Sequence, residues 1–167
     1  MNNLSSHDGL HDALTGALTL PAFYEAVTRE IARARRDPMQ LHLLLLNLLP
    51  INQGEDMDCK SSKSSKSSKH RKNAIDQEQL LVALIELVHE LQISLRENDL
   101  ISRTGLSEVS IVFSGNAEDL KKRVLKIAND FSATVAMVQY QENWKLAQFL
   151  TAGDLASQEA VRAKTLK

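Results

Sequence analysis

Two kinds of apolar spacing alternate along this chain of 167 residues, and their order restricts the folds that it can adopt. Some segments carry apolar residues at the spacing of a helix face, and short apolar runs typical of buried strands lie between them. The predicted order is helix, strand, helix, hairpin, helix, strand, helix. Such alternation favours a mixed sheet covered by helices, because each element must bury its apolar side against another.

Residues that start or stop a helix predict the first helical boundaries. Thr19 followed by Pro21 is typical of a helix start, because a capping hydroxyl precedes a proline in the first turn. Asp37-Pro38 should end that first helix, since the residue before a proline disfavours helical geometry. Asp76 is the expected N-cap of a long second helix, whose apolar stripe runs from Leu80 to Leu95.

The remaining elements are predicted from shorter patterns. A hairpin is expected around Thr104-Gly105, since apolar runs flank this turn signal on both sides. The tail from Trp144 to Lys164 is predicted to be mostly helical, with a break at Gly153. The other predicted elements are a buried strand at 41–49, hairpin strands at 100–101 and 109–113, a third helix at 120–131 and a strand at 134–138.

Composition excludes several classes of protein. The chain is 43% hydrophobic and 25% charged, which is ordinary for a globular protein with one core. Its net charge of −1 gives no general attraction to nucleic acid or to an anionic membrane. The lone Cys59 excludes an internal disulfide, no secretory signal is recognised, and the apolar run around Leu43–Leu46 is too short to span a bilayer. A cytoplasmic protein without membrane or nucleic-acid partners is expected.

The chain is predicted to form one domain over residues 19–167, preceded by a polar lead-in at 1–18. A loop interrupts this domain at about residues 53–74, where serine and lysine alternate between Lys60 and Lys66. Such a composition buries too little apolar surface to offset the entropy of ordering, so the loop is expected to be disordered.

Several motifs along the chain occur together in an order typical of one family. Asp12–Gly16 reads DxLTG, Phe23–Arg36 is a helix that leads into a strand at Leu43–Asn47, and Val161–Lys164 is similar to a YxAK motif. Arg96–Val109 resembles RxxD, five residues, and then the GGDEF signature. From residue 12 onward the sequence therefore resembles the GGDEF family of diguanylate cyclases. The resemblance implies an α/β (α+β) fold, with a central mixed and largely antiparallel sheet between helices.

The resemblance also implies an activity, which joins two GTP molecules into cyclic di-GMP across two facing copies of the domain. A homodimer is therefore one expected assembly. The family holds divalent cations with one acid at the end of the first strand and another in the signature, where this chain has Asn47 and Ser107. Leu106 replaces a signature glycine that lets the backbone approach the nucleotide. The signature positions are Gly105, Leu106, Ser107, Glu108 and Val109.

These departures predict that the chain has no catalytic residues, holds no magnesium and is not an enzyme. Glu108 matches the fourth signature position and Lys164 matches a lysine that the resemblance implies for phosphate contact. Each also has a simpler interpretation, since a solvated acid and a lysine near a helix C-terminus are both common.

The spacing of RxxD is intact, because Arg96 and Asp99 lie five residues before Gly105. In the family this motif is the inhibitory site for cyclic di-GMP, and a second arginine usually comes from the next helix, where Arg123 is the best candidate. The arginines can bind phosphate or a guanine edge, and the aspartate can accept from guanine or hold an arginine. The resemblance thus predicts a receptor for cyclic di-GMP.

Two other functions remain open at this point. A pseudo-cyclase could bind no nucleotide and act only on an unknown protein partner. A working diguanylate cyclase would need unorthodox metal ligands. A receptor binds cyclic di-GMP without consuming GTP, a scaffold binds neither, and an enzyme consumes GTP with magnesium or manganese.

Overall fold

The predicted order of elements is confirmed by a computed structural model, which describes residues 9–37, 39–49 and 68–165. The helices are α1 (Leu20–Arg36), α2 (Ser68–Ser94), α3 (Ala117–Asp130) and α4 (Leu146–Thr165). The strands are β1 (Leu41–Leu48), β2 (Leu100–Arg103), β3 (Glu108–Ser114) and β4 (Ala133–Gln139). Within these described ranges, no helix combines the length and apolar character needed to cross a bilayer.

The strands form one sheet in the order β2-β3-β1-β4, in which all neighbours are antiparallel. A parallel bridge between Leu18 and Ser102 lies at the β2 edge. The expectation of a largely antiparallel sheet flanked by helices is therefore confirmed, and β1 lies in its interior.

Alternate residues of β1 are buried on opposite faces of the sheet. Leu44 and Leu46 pack in a core with α2 and α3, whereas Leu43 and Leu45 pack in a second core with α1 and α4. Both faces are covered, so β1 reads as a continuous apolar run rather than an alternating one. Burial on two sides outweighs the modest strand propensity of leucine.

The predicted break at Gly153 is wrong, because α4 continues through this residue. A Cβ atom at Gly153 would lie 2.5 Å from Leu43 Cδ2 and 2.7 Å from Leu45 Cδ1. The glycine therefore allows α4 to approach β1 closely. It does not end the helix.

The second helix begins earlier than predicted. It starts at Ser68, not at Asp76, so the last part of the predicted loop, residues 68–74, is helical. Arginine, lysine and alanine in this part are good helix formers, and a helix already stabilised by packing extends at low cost. The rest of the predicted loop, residues 53–67, lies outside the described residues.

The lead-in is joined to the sheet where the structure describes it. Leu18 N donates to Ile101 O at 2.9 Å, and Ala17 is fully buried. Thr19 is the N-cap of α1 as predicted, but its side chain makes no capping bond. Its Oγ1 donates instead to the carbonyl oxygen of Gly9 at 3.0 Å, which closes the turn over residues 9–19.

Candidate functional site

An open cleft of about 510 Å³ lies where β1 ends and β3 begins, under one side of α4. Asn47 and Glu108 are direct partners in the β1–β3 register, so their side chains meet on the same face of the sheet. We call this site the strand-end cleft. Its lining residues are Asn47, Glu108, Asp154, Ser157, Gln158, Val161 and Arg162.

Polar groups in the strand-end cleft bind one another. Asn47 Nδ2 donates to Ser157 Oγ at 2.6 Å and to Glu108 Oε2 at 3.3 Å. Thr104 Oγ1 donates to Glu108 Oε1 at 2.7 Å. Both carboxylate oxygens of Glu108 therefore accept hydrogen bonds from this chain.

Two acids approach each other in the cleft. Burial raises the pKa of Asp154, and the nearby Glu108 carboxylate raises this pKa further. Asp154 and Ser157 were not predicted from the sequence, although their spacing of three residues places them on one side of α4. That signal was present, but only the packing of α4 against β1 shows which side of α4 faces Asn47.

The cleft supplies fewer carboxylates than a divalent cation such as magnesium prefers, because Asn47 lies at the end of β1 and the acids in the lining are Glu108 and Asp154. Asn47 presents its amide nitrogen to Glu108, and the Glu108 oxygens are already hydrogen-bonded. Within the described ranges, no three His, Cys, Asp or Glu side chains lie close enough together to hold a metal.

The other signature positions are structural in this chain. Val109 is fully buried, and the carbonyl oxygen of Ser107 accepts from Leu48 N at 2.8 Å. A Cβ at Gly105 would lie 3.2 Å from the Cβ of Glu108. Leu106 is 76% exposed, and the non-glycine residues with positive φ in the described structure are Ser132 and Asn143. The φ of Leu106 is therefore negative, and this residue does not strain the turn.

Lys164 binds the backbone rather than lining the cleft. Its Nζ donates to the carbonyl oxygens of Ser132 at 3.1 Å and Ala133 at 3.0 Å, at the start of β4. This side chain ties the last turns of α4 to the sheet.

The DxLTG segment also has a structural role. Asp12 Oδ1 accepts from Thr15 N and Thr15 Oγ1, both at 3.0 Å, and Asp12 Oδ2 accepts from Arg103 Nη2 at 2.9 Å. Partial burial would raise the pKa of Asp12, but the hydrogen bonds from Arg103 and Thr15 outweigh it and hold this pKa below its usual value. The motif therefore ties the turn before α1 to β2.

A second site, the arginine depression, brings the three predicted ligand-binding residues together. The turn between α2 and β2 supplies Arg96 and Asp99, and the first half of α3 supplies Arg123. The residues that line the depression are Arg96, Asp99, Phe113, Ser114, Asn116, Leu120 and Arg123.

Short-range bonds shape the arginine depression. Arg96 N donates to Asp99 Oδ2 at 2.9 Å, and Asp99 N donates to Arg96 O at 3.0 Å. Arg123 Nη1 donates to Ser94 O at the end of α2. The guanidinium of Arg96 is exposed and has no hydrogen-bond partner among the described residues.

The arginine depression is shallow. It encloses about 10 Å³, which is room for about one water molecule. A ligand larger than an ion would therefore lie across the depression and contact the side chains at its rim.

Comparison with solved structures identifies the fold. A sensory box/GGDEF family protein from Caulobacter crescentus superposes with a TM-score of 0.70 at 16% identity, over 92% of this chain and 99% of that chain. The GGDEF domain of DgcB from the same organism, in complex with c-di-GMP, gives 0.73 at 13% identity, over 93% and 92%. The GGDEF domain of TpbB from Pseudomonas aeruginosa gives 0.68 at 19% identity, over 92% and 89%.

The sequence itself matches no protein-family model and no curated protein. The likeness therefore rests on structure, where it covers nearly the whole chain and nearly the whole of each neighbour. The architecture of one antiparallel sheet between two pairs of helices is that of the GGDEF-domain fold.

Proposed function

We propose that this domain is a receptor for cyclic di-GMP that does not synthesise it, and that the ligand binds at the arginine depression. One observation carries the proposal: Arg96 and Asp99, from the turn after α2, line the same depression as Arg123 from α3. The GGDEF domain of DgcB was solved in complex with c-di-GMP, which makes this dinucleotide the first ligand to test.

The chemistry of the arginine depression suits a dianionic dinucleotide. The Arg96 guanidinium can bind a phosphate or a guanine edge through two parallel hydrogen bonds. Asp99 uses Oδ2 to hold the turn, and Oδ1 accepts no bond within the described structure. That oxygen is available to a guanine N–H.

The strand-end cleft supports the absence of synthesis. Phosphoryl transfer from GTP needs hard cations beside the phosphates, and these need carboxylate oxygens. Asn47 is an amide that donates to Glu108, and Thr104 engages the other Glu108 oxygen. Hydrogen bonds within the chain therefore already engage the Glu108 carboxylate that a cation would need, which supports the absence of synthesis.

Calorimetric titration of the purified chain with cyclic di-GMP tests the proposal. We expect saturable binding, and we expect Arg96→Ala to weaken it by about 10-fold to 100-fold, because hydrogen bonds to a charged group contribute about 1.5–3 kcal/mol. Arg96→Lys should recover part of the affinity, since an ammonium cannot make the planar bidentate contact.

Arg29→Ala is the matched control. Arg29 is an exposed arginine on α1 whose ion-pair partner in the described structure is Glu25 on the same helix, at 3.6 Å. Its loss should leave binding unchanged. Absence of binding by the wild-type chain at high micromolar ligand would reject the receptor function.

A scaffold that binds no nucleotide is the second candidate. It is favoured by the shallow form of the depression and by the bond that already engages Arg123 with Ser94. The same titration separates the two functions, because a scaffold would show no heat of binding for either cyclic di-GMP or GTP.

A further inference from the structure

The two edges of the sheet differ in how they are covered. At the β2 edge, Leu18 N donates to Ile101 O at 2.9 Å, and Ser102 Oγ donates to Leu18 O at 2.8 Å. At the other edge, β1 is the one strand among the described residues that pairs with β4. In the described structure, no strand or turn covers the outer side of β4.

The phase of the ladder shows which groups point outward. Tyr140 N donates to Leu41 O at 2.8 Å, so even-numbered residues near β4 bond toward β1. Because bonding direction alternates along a strand, Val135, Met137 and Gln139 direct their N–H and C=O groups outward. The hydrogen bond from Lys164 to the carbonyl oxygen of Ala133 is consistent with this alternation, because the carbonyl of this odd-numbered residue points away from β1.

The outward groups form an open template for another strand. The backbone groups of Val135 and Met137 have no partner within the described ranges, and the Gln139 carbonyl accepts only a long 3.4 Å bond from Gln141 Nε2. The sequence ATVAMVQ contains no charge and no proline. Charged residues, prolines and bulges are the features that usually protect an edge from strand addition.

We propose that a second copy of the chain adds its own β4 to this edge, antiparallel across a twofold axis. The strand is uncharged, so two copies bring no like charges together within the ladder. Because Lys164 occupies the Ala133 carbonyl, the register that pairs Val135, Met137 and Gln139 with one another is centred on Met137. Met137 then faces the partner's Met137, and Val135 faces the partner's Gln139.

Charge at the ends of β4 fits the same arrangement. Lys164 lies beside the start of β4, and Glu142 follows its end, where the side chain is exposed. An antiparallel pair brings Lys164 near the partner's Glu142, and the twofold axis repeats this contact at the other end. A second copy therefore supplies complementary charge as well as strand pairing.

This interface is independent of the proposed receptor function. Asp99 immediately precedes β2, at the opposite edge of the sheet from β4. Pairing through β4 would leave both arginine depressions open.

Disulfide crosslinking tests the register. Paired residues that exchange hydrogen bonds have Cα atoms about 5.5 Å apart, within the range that a disulfide spans. We expect Met137→Cys, in a Cys59→Ser background, to give a covalent dimer under mild oxidation. Ile93→Cys in the same background is the control, because Ile93 is 68% exposed on α2 and should not crosslink.

A second variant tests the interface without covalent chemistry. Gln139→Pro removes an outward N–H while leaving the ladder with β1 intact. Sedimentation should show dimerisation weakened by about tenfold or more, since the residue lies in two of the symmetric pairs. Gln139→Ala should leave the dimer unchanged.

Circular dichroism checks that the Gln139→Pro variant keeps its fold. If this variant does not fold, the Met137→Cys crosslink alone tests the interface. A wild-type chain that stays monomeric at its solubility limit would overturn the proposal. A dimer that resists Gln139→Pro and does not crosslink through Met137→Cys would also overturn it, because a different face would then hold the copies together.

Discussion

The strand-end cleft and the arginine depression contain similar polar residues but use them differently. In the cleft, Asn47 bonds both Glu108 and Ser157, so the polar groups satisfy one another across three elements. In the depression, Asp99 bonds the backbone of its own turn, and the Arg96 guanidinium points into solvent. The hydrogen bonds in the cleft stabilise the fold, whereas those in the depression stabilise a turn and leave the positively charged guanidinium of Arg96 exposed.

This difference indicates where a ligand can bind at low cost. A ligand in the cleft must displace hydrogen bonds between partly buried groups, and each broken bond leaves a polar atom to satisfy again. A ligand at the depression meets the exposed guanidinium of Arg96, which has no hydrogen bond within the described structure to give up. We therefore expect the depression to bind a ligand better than the larger opening does.

The largest expected effect is a complete absence of synthesis at the cleft. With GTP and either magnesium or manganese, an overnight reaction should contain no cyclic di-GMP by chromatography, because Asn47 and Ser107 stand where carboxylates are needed. Clear product that disappears in Glu108→Ala would show that the cleft is a working site after all.

The same substitution in the two regions should have different effects on stability. Asn47→Asp places a third acid near Glu108 and Asp154 and removes the donor to Glu108, so the free energy of unfolding should fall by about 1–3 kcal/mol at neutral pH. Chemical denaturation measures this change.

Asn116→Asp is the matched change at the arginine depression. Asn116 caps α3 by accepting from Glu118 N at 3.0 Å, and aspartate caps equally well beside a helix N-terminus. The free energy of unfolding should therefore stay within about 0.5 kcal/mol of wild type. Equal losses for both variants would remove the contrast between the regions.

The arginines of the depression should contribute unequally to binding. Arg123 already donates to Ser94 O, so its gain on binding cyclic di-GMP is smaller than that of Arg96. We expect Arg123→Ala to weaken binding by about threefold to tenfold, less than Arg96→Ala. Calorimetry on both variants measures the two losses of affinity. A larger loss for Arg123→Ala would show that α3, and not the turn before β2, contributes most to binding.

The smallest expected effect concerns the acids of the cleft. The pKa of Asp154 is raised by burial and by Glu108, so the folded chain holds this proton more tightly than the unfolded chain. Stability is therefore lost as pH rises from the ordinary carboxyl pKa through the raised one. Asp154→Asn should be more stable than wild type at neutral pH by less than about 0.5 kcal/mol, because solvent screens the group.

At low pH, where Asp154 is protonated in both states, this gain should vanish. Thermal melts of wild type and Asp154→Asn at neutral and acidic pH measure it. A gain of equal size at both pH values would point to packing rather than charge.

The sequence predicted the elements whose burial is repetitive and local. The apolar run of β1 predicted a buried strand, and the apolar stripe from Leu80 to Leu95 predicted a helix. In both segments the spacing of apolar residues along the chain is enough to indicate the structure. The prediction at Gly153 was wrong, because the sequence alone does not distinguish a glycine that ends a helix from a glycine that packs against a leucine of a neighbouring strand. Only the distance to Leu43 distinguishes them.

The residues of the candidate sites could likewise be predicted where a local motif contains them, and not where tertiary packing brings them together. Arg96 and Asp99 could be named because they belong to one short motif with fixed spacing. Arg123 was located by its place on the following helix. Asp154 and Ser157 were missed, because their closeness to Asn47 depends on how α4 lies across β1, and no local pattern encodes that placement.

The interior position of β1 has a consequence for how the chain leaves the ribosome. Both of its partners, β3 and β4, belong to the second half of the sequence, so Leu43–Leu46 emerge long before any strand can pair with them. An unpaired apolar strand on a nascent chain is prone to aggregation and is a typical target of chaperones. The apolar side chains of β1 therefore stay incompletely covered until α4, which packs on one face of this strand, has emerged.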